Sequence, residues 1–392
     1  MTLFLASVTG AEEAQVALAH GADIIGLEDP SKGALGALGV EEVRATVARI
    51  RGARPLSAAI GDLHMQPEAI AAAASAMAEG GVDFIKIGLF PDPRREACIR
   101  ALASLAGRVK IIGVMFADLA ADAALIETMA QAGYAGAMLD TARKDGRRLL
   151  DHWDIAALRD FVGACRARGM MAGLAGALET PDVPRLLLLE PDVIGLRTAL
   201  CTDQNRAGTI EAARLDVVRA LIPLDERSAL YERAGAARDH RLSAAHDYCF
   251  DPARNAPTDH VFVHDLVLPV RIGVYASEHE KPQRVRFNVD VQALRPPHEA
   301  EDMRDVFSYD VVTDGIRMIV ARGHVALTET LAERIAALLL EHPRVMRVTV
   351  RVEKLDTEAG AVGVTIERER PAKAAAVRRL HPAAGRDPNA AE

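Results

Sequence analysis

Apolar residues in the first half of the chain come in short runs of the kind that buried parallel strands need. Such runs lie at Leu3–Val8, Asp23–Leu27, Leu56–Ile60, Asp83–Leu89, Val109–Met115, Ala135–Leu139, Met170–Leu174 and Asp192–Leu196. Between them are stretches with helical periodicity, such as Pro67–Glu79 and Ile155–Arg168, rich in Ala, Leu and Arg. Gly21, Gly81, Gly133 and Gly169 each stand where a helix should end, just before the next strand. Eight strand–helix units over residues 1–222 predict an α/β TIM-like (β/α)8 barrel. A doubly wound open sheet would alternate in the same way, but no GxGxxG follows the first strand.

After Leu221 the texture changes. Residues 223–258 are rich in Asp, Glu, Arg and Ala, with one weak helical stretch near Glu226–Ala236, and read as a linker. From Asp259 the period shortens to two: HVFVHDLVLPVRIGVY is followed by RVRFNVDVQAL, which alternates strictly from Val285 to Val291. Two amphipathic helices follow, Ser308–Ala321 and Thr328–Leu340, then alternating runs at Val345–Val352 and Gly363–Glu369. Strands, helices and strands in blocks predict an α+β domain over 259–370, an antiparallel sheet with helices on one face. The tail 371–392 is Ala, Pro and Arg without periodicity, and is expected to be disordered.

Composition narrows the function classes. Half of the 392 residues are apolar and 4% are aromatic, so the cores must be built mainly from Ala, Val, Leu and Ile. A net charge of −8 gives no reason to expect nucleic acid or an anionic membrane as partner. No apolar run approaches the roughly 18 residues of a membrane helix, and Met1–Gly10 has neither the length nor the basic start of a signal peptide. Cys98, Cys165, Cys201 and Cys249 lack CxxC spacing, which fits reduced thiols in the cytoplasm rather than disulfides or a metal site. Lysine is confined to Lys32, Lys86, Lys110, Lys144, Lys281, Lys354 and Lys373, all other basic side chains being Arg. An amine can act as base or nucleophile where a guanidinium cannot, so each retained Lys is a candidate for chemistry.

The stretch AGAMLDTARKDG (135–146) brings these observations together: a small-residue strand ends in Asp140, and a polar turn then carries Lys144. In (β/α)8 barrels, chemistry sits at the C-terminal ends of the strands. The other strand ends supply Ser7, Glu28 and Asp29, Asp62, Asp118, the turn Gly173–Gly176 and Arg197, with Lys86 inside strand four. Each alone is equally what a loop salt bridge or a helix cap supplies. Gly176 in a Gly-rich turn after strand seven, with Arg197 after strand eight, suits a phosphate. Carboxylates and amines around the same mouth suit carbonyl chemistry, by proton transfer or through a Schiff base.

The motifs GADIIGLEDPSKGALGA (21–37), DFIKIGLF (83–90), AMLDTARKDG (137–146), LAGAL (174–178) and DVIGLR (192–197) resemble those of (5-formylfuran-3-yl)methyl phosphate synthase. That barrel enzyme of methanofuran biosynthesis condenses two molecules of glyceraldehyde 3-phosphate. The resemblance implies that Lys86, Asp140 and Lys144 are active-site residues. One position departs: Glu28 stands where the family has the Lys thought to form the Schiff base, and a carboxylate cannot form an iminium. Lys86 or Lys144 then takes over covalent catalysis, or the barrel runs an altered reaction, or it serves as a scaffold.

The second half resembles dihydroneopterin aldolase, a tunnelling-fold enzyme of pterin biosynthesis, through IGVYASEHEKPQRVRFNVDV (272–291), FSYDVV (307–312), LTETLAERIAALLL (327–340) and VRVEKLDTEAGAVGVTIER (350–368). By matching position the resemblance gives Glu278, Tyr309 and Lys354 catalytic roles and makes Glu329 the pterin anchor. A carboxylate such as Glu329 can accept from the adjacent ring N–H and amino group of a pterin. Lys354 and Tyr309 can exchange the protons of a retro-aldol step whose electrons the ring imine absorbs. No metal or cofactor is expected, and the partners expected are small molecules (a dihydropterin and a triose phosphate) and further copies of the chain. A related pterin epimerase is the other chemistry that the tunnelling fold offers.

Overall fold

The structure is a computed structural model and describes residues 1–119, 121–222, 257–274, 278–279, 281–296, 303–357 and 359–370. The proposed linker helix Glu226–Ala236, Cys249 and the tail lie outside the described residues.

Eight parallel strands close into a barrel in sequence order: β1 (Leu3–Val8), β2 (Ile24–Leu27), β3 (Leu56–Ala59), β4 (Phe84–Gly88), β5 (Lys110–Phe116), β6 (Gly136–Asp140), β7 (Met171–Leu174) and β8 (Val193–Leu196). Each predicted strand is present with its ends within one residue or two. The intervening helices are α1 (Ala11–Ala19), α2 (Val40–Ile50), α3 (Pro67–Ala78), α4 (Arg95–Ala101), α5 (Ala124–Gln131), α6 (Leu149–His152), α7 (Ile155–Arg166) and α8 (Asp182–Leu187), with α9 (Ala212–Leu221) closing the ring. The four glycines before strands have φ between 66° and 86°, the left-handed geometry that stops a helix without a Cβ penalty.

A repeated device seals the lower rim of the barrel. Asp23, Asp83 and Asp192, each just before its strand, accept the backbone N–H of Phe4, Leu56 and Ala172 at 2.8–2.9 Å on the neighbouring strand. Arg219 of α9 donates to Asp23 at 2.6 Å, tying the last helix to the first strands. These carboxylates are at the N-terminal end of the strands, where polar residues serve stability rather than chemistry.

The second domain is a four-stranded antiparallel sheet in the order β12-β11-β10-β9, built from β9 (Thr258–Val270), β10 (Gln283–Leu294), β11 (Val345–Lys354) and β12 (Val362–Glu369). Helices α10 (Tyr309–Val320) and α11 (Thr328–Leu340) connect β10 to β11. The period-two pattern is realised directly. Val285, Phe287, Val289 and Val291 of β10, with Val348, Val350 and Val352 of β11, are fully buried in one core with Val312, Ile316, Leu331 and Ile335 of the helices. Each such side chain contributes roughly 1.5–3 kcal/mol of apolar burial. The opposite face and both edge strands carry exposed Phe262, Val267 and Val362.

The domains meet through α10, which packs on α7 and α8 of the barrel. Arg185 bonds the buried Asp314 at 2.5 Å, Arg159 donates to the Met318 carbonyl at 2.8 Å, and Met318 joins the barrel's core.

Candidate functional site

Strand alternation decides what enters the barrel. Residues i and i+2 share a face, so Ile24–Gly26–Glu28, Phe84–Lys86–Gly88, Met138–Asp140 and Val193–Gly195–Arg197 point inward. The lower members form an apolar interior with Leu5, Val114 and Phe116. The upper polar members, with Ser7, Lys144, Gly176 and Arg206, line an open cleft of about 510 Å³ at the C-terminal mouth. Most of the strand-end residues singled out from the sequence therefore meet in one cleft.

At the centre is Lys86, 3% exposed, whose ammonium contacts the Glu28 carboxylate. Gly26 makes this reach possible, because a Cβ there would stand 3.5 Å from Lys86 Nζ and 3.0 Å from Leu5 Cδ2. Burial pushes the Lys86 pKa down to about 8, Asp140 opposing and Lys144 adding to the depression. Glu28, in direct contact, favours the charged form and gives the proton an acceptor when it leaves. Beside this pair Lys144 bonds Asp140 at 3.0 Å, and Asp140 also accepts the Thr141 N–H at 2.6 Å. Two lysine–carboxylate pairs thus share one cleft.

The loops presenting them are held by two further carboxylates at strand ends. Asp118 accepts the N–H groups of Ala142 and Arg143 at 2.8 and 2.7 Å, fixing the turn that carries Lys144. Burial works against its ionisation, but the amides of Arg143 and Ala142 outweigh it and hold the carboxyl below its ordinary range. Asp62 does the same for the loop after β2, accepting from Ala34 and Leu35 at 2.7 and 2.9 Å. Gly33, at φ 118°, leaves room for that carboxylate, which any Cβ would overlap. Asp62 and Asp118 are thus loop anchors, while Lys32 pairs with Asp29 on an exposed turn.

Arg197 requires a correction. Its Nε donates to the Arg206 carbonyl, Nη1 to the Ser7 carbonyl and Glu13, and Nη2 to Glu13 and the Gly208 carbonyl. All five guanidinium N–H groups are used, so Arg197 has none left for a phosphate. Inward position at a strand end did not distinguish a ligand-binding Arg from one that braces a loop. Gly176 is at the mouth as expected, with φ 116° and no space for a side chain against Thr141. Sequence reasoning missed Arg206, which lies in the polar loop TDQNRAG without periodicity.

In the second domain the structure brings together two of the four expected residues. Lys354, at the end of β11, bonds Glu278 at 2.6 Å, and Gln283 Nε2 donates to the same carboxylate at 3.1 Å. Gly273, φ 137°, lies against Glu278 so closely that a Cβ would overlap it. Tyr309 and Glu329 instead stand in the first turns of α10 and α11, Tyr309 at 61% exposure. Ser308 caps α10 through the Asp310 N–H at 3.2 Å, and Thr328 donates to Glu329 at 3.1 Å. No bond joins either of them to the Glu278–Lys354 pair among the described residues.

Comparison with known proteins divides the chain at the same place. The family model described as 4-HFC-P synthase matches residues 4–219, and that described as dihydroneopterin aldolase matches 261–367. A Methylorubrum extorquens protein provisionally named as a (5-formylfuran-3-yl)methyl phosphate synthase is 44% identical over 213 residues, 54% of this chain and 87% of the relative. A Methanococcus maripaludis (5-formylfuran-3-yl)methyl phosphate synthase is 33% identical over 233 residues, 56% of this chain and 98% of its own. Among solved structures, a dihydroneopterin aldolase from Burkholderia thailendensis bound to guanine is 31% identical, covering 31% of this chain and all of that one, with a TM-score of 0.27. The chain belongs to the 4-HFC-P synthase family through its barrel, and the domain that follows is a dihydroneopterin aldolase domain.

Proposed function

We propose that the chain is a bifunctional enzyme whose barrel condenses two molecules of glyceraldehyde 3-phosphate to (5-formylfuran-3-yl)methyl phosphate, and whose second domain cleaves 7,8-dihydroneopterin to 6-hydroxymethyl-dihydropterin and glycolaldehyde. The observation that carries the reading is the pair of lysine–carboxylate contacts in one mouth, Lys86–Glu28 and Lys144–Asp140, in a chain whose other domain holds Lys354 on Glu278. A catalytically silent barrel is not favoured, since Glu28 leaves an amine and a proton acceptor in contact.

Lys86 serves as the iminium-forming amine. Burial brings it within reach of the neutral form near physiological pH, and Glu28 takes the proton. The free amine adds to an aldehyde carbon and water leaves, which makes the adjacent carbon acidic enough to form an enamine nucleophile. Lys144 and Asp140 move protons at the mouth. The balance of the whole reaction releases one inorganic phosphate and two waters for each furan formed. Borohydride added with glyceraldehyde 3-phosphate should leave a reduced adduct on Lys86. An adduct on Lys144 instead would reverse the two assignments, and furan formation without any trappable adduct would remove the iminium.

In the second domain Lys354 and Glu278 form the proton-transfer pair, Glu329 anchors the pterin and Tyr309 completes the site. The exposure of Tyr309, together with edge strands that no neighbour pairs among the described residues, supports a site shared between copies of the chain. Mixed Tyr309→Phe and Lys354→Ala subunits, each inactive alone, should then recover part of the aldolase activity. A dead mixture after confirmed exchange would place the whole site within one chain.

A further inference from the structure

We infer that Arg206 is the phosphate anchor of the barrel, and that Arg197 acts only by holding the loop on which Arg206 sits; this deepens, and rests on, the triose phosphate reading above. Three of the four cations that line the cleft are held in ion pairs. Lys86 is paired with Glu28, Lys144 with Asp140 and Arg197 with Glu13. Arg206 lines the same cleft and pairs with no acid among the described residues. Of these four cations, Arg206 is the one whose guanidinium is left to meet an anion.

Donor geometry points the same way. One Arg206 N–H, on Nη2, donates to the Gly33 carbonyl at 3.2 Å, and the other donors bond nothing among the described residues. Burial opposes the charge on Arg206, while Asp140 and Asp62 favour it. None of those nitrogens is buried without a partner, so they stay open to the cleft, where the oxygens of a ligand can reach them. The loop around it is held in place: Arg197 clamps the carbonyls of Arg206 and Gly208 at 3.0 and 2.6 Å, and Asp203 and Gln204 are both in the left-handed region at φ 53°. Through its bond to Gly33, Arg206 also spans the mouth from the loop after β8 to the loop after β2. A phosphate placed there would face Gly176 and Thr198, in the position where barrels commonly hold such groups.

The test uses the full chain and two independent readings. Calorimetric titration with inorganic phosphate should show binding to the wild type, with affinity lowered about tenfold to a hundredfold in Arg206→Ala and partly restored in Arg206→Lys. In steady state, Arg206→Ala should raise the KM for glyceraldehyde 3-phosphate by a similar factor while kcat falls far less. Unchanged aldolase turnover in the same sample certifies folding. Phosphate binding lost in Arg206→Ala by a chain that makes no furan would uphold the anchor and reject the triose reading. A wild type that makes furan but whose Arg206→Ala variant keeps its KM and its phosphate affinity would overturn the anchor alone. So would a wild type that binds no phosphate.

Discussion

Asp118 takes no direct part in the chemistry, yet it should control it. Its two carboxylate oxygens hold the Ala142 and Arg143 amides, and the next residue is Lys144. Asp118→Asn keeps one acceptor and turns an NH2 group toward the other amide, so one charge-assisted bond is lost and the second becomes neutral. Hydrogen bonds to a charged group contribute about 1.5–3 kcal/mol each, and the half-exposed position argues for the lower end, about 2 kcal/mol in total. At about 1.4 kcal/mol per tenfold, turnover of glyceraldehyde 3-phosphate should fall by up to about 30-fold, with little change in KM. The assay is release of inorganic phosphate or furan product, with dihydroneopterin cleavage by the same sample as folding control. Trp153, the only tryptophan, donates to the Ala117 carbonyl at 3.3 Å and reports on the same segment by fluorescence. Asp118→Asn turnover within twofold of wild type, with a shifted Trp153 emission, would show that Lys144 needs no fixed turn and refute the reasoning.

Three further outcomes follow from other contacts. Lys354→Ala should lower dihydroneopterin turnover by about 10²–10⁴-fold and leave furan formation intact; wild-type cleavage would remove Lys354 from the mechanism. His342, stacked edge-on against Phe307, is pushed down to about 4 by burial, with Arg344 and Arg370 adding. The unfolded imidazole takes its proton first, so this stability is lost as pH falls from about 6.5 to about 4, by up to about 3 kcal/mol. Denaturant melts of His342→Asn, which keeps an acceptor for the Arg344 N–H, should be flatter across that window; an unchanged slope would contradict this. Arg185→Met leaves the buried Asp314 with Arg317 at 3.5 Å as its ion-pair partner among the described residues. With Arg317 still near, the loss should be at the low end for a buried pair, about 3 kcal/mol, and be largely recovered by adding Asp314→Asn; additive losses would mean that the pair is not coupled.

Much of this was legible in the sequence because local rules and tertiary structure agree. Eight apolar runs, four helix-ending glycines and strict alternation from Val285 to Val291 each specify an element before any packing is considered. The mouth was legible for the same reason: a polar residue at an inward position of a strand end has one place to go. Arg197 shows the limit. Its position and chemistry are those of a phosphate ligand, and its acceptors come from Ser7, Glu13 and the 206–208 loop, segments that only the closed barrel brings together. Arg206 shows the converse, a residue in an aperiodic loop whose importance comes from what does not pair with it. Tyr309 and Glu329 were marked by motif, but no local pattern says which surface completes their site.

Incubating the intact chain with each substrate separately, and identifying the products by mass spectrometry, tests the bifunctional reading most directly. Glyceraldehyde 3-phosphate should give the furan phosphate and dihydroneopterin should give 6-hydroxymethyl-dihydropterin. Lys86→Met should abolish only the first product and Lys354→Ala only the second. A wild-type chain that cleaves dihydroneopterin but leaves glyceraldehyde 3-phosphate unchanged would contradict the claim that a Lys86–Glu28 barrel is catalytic.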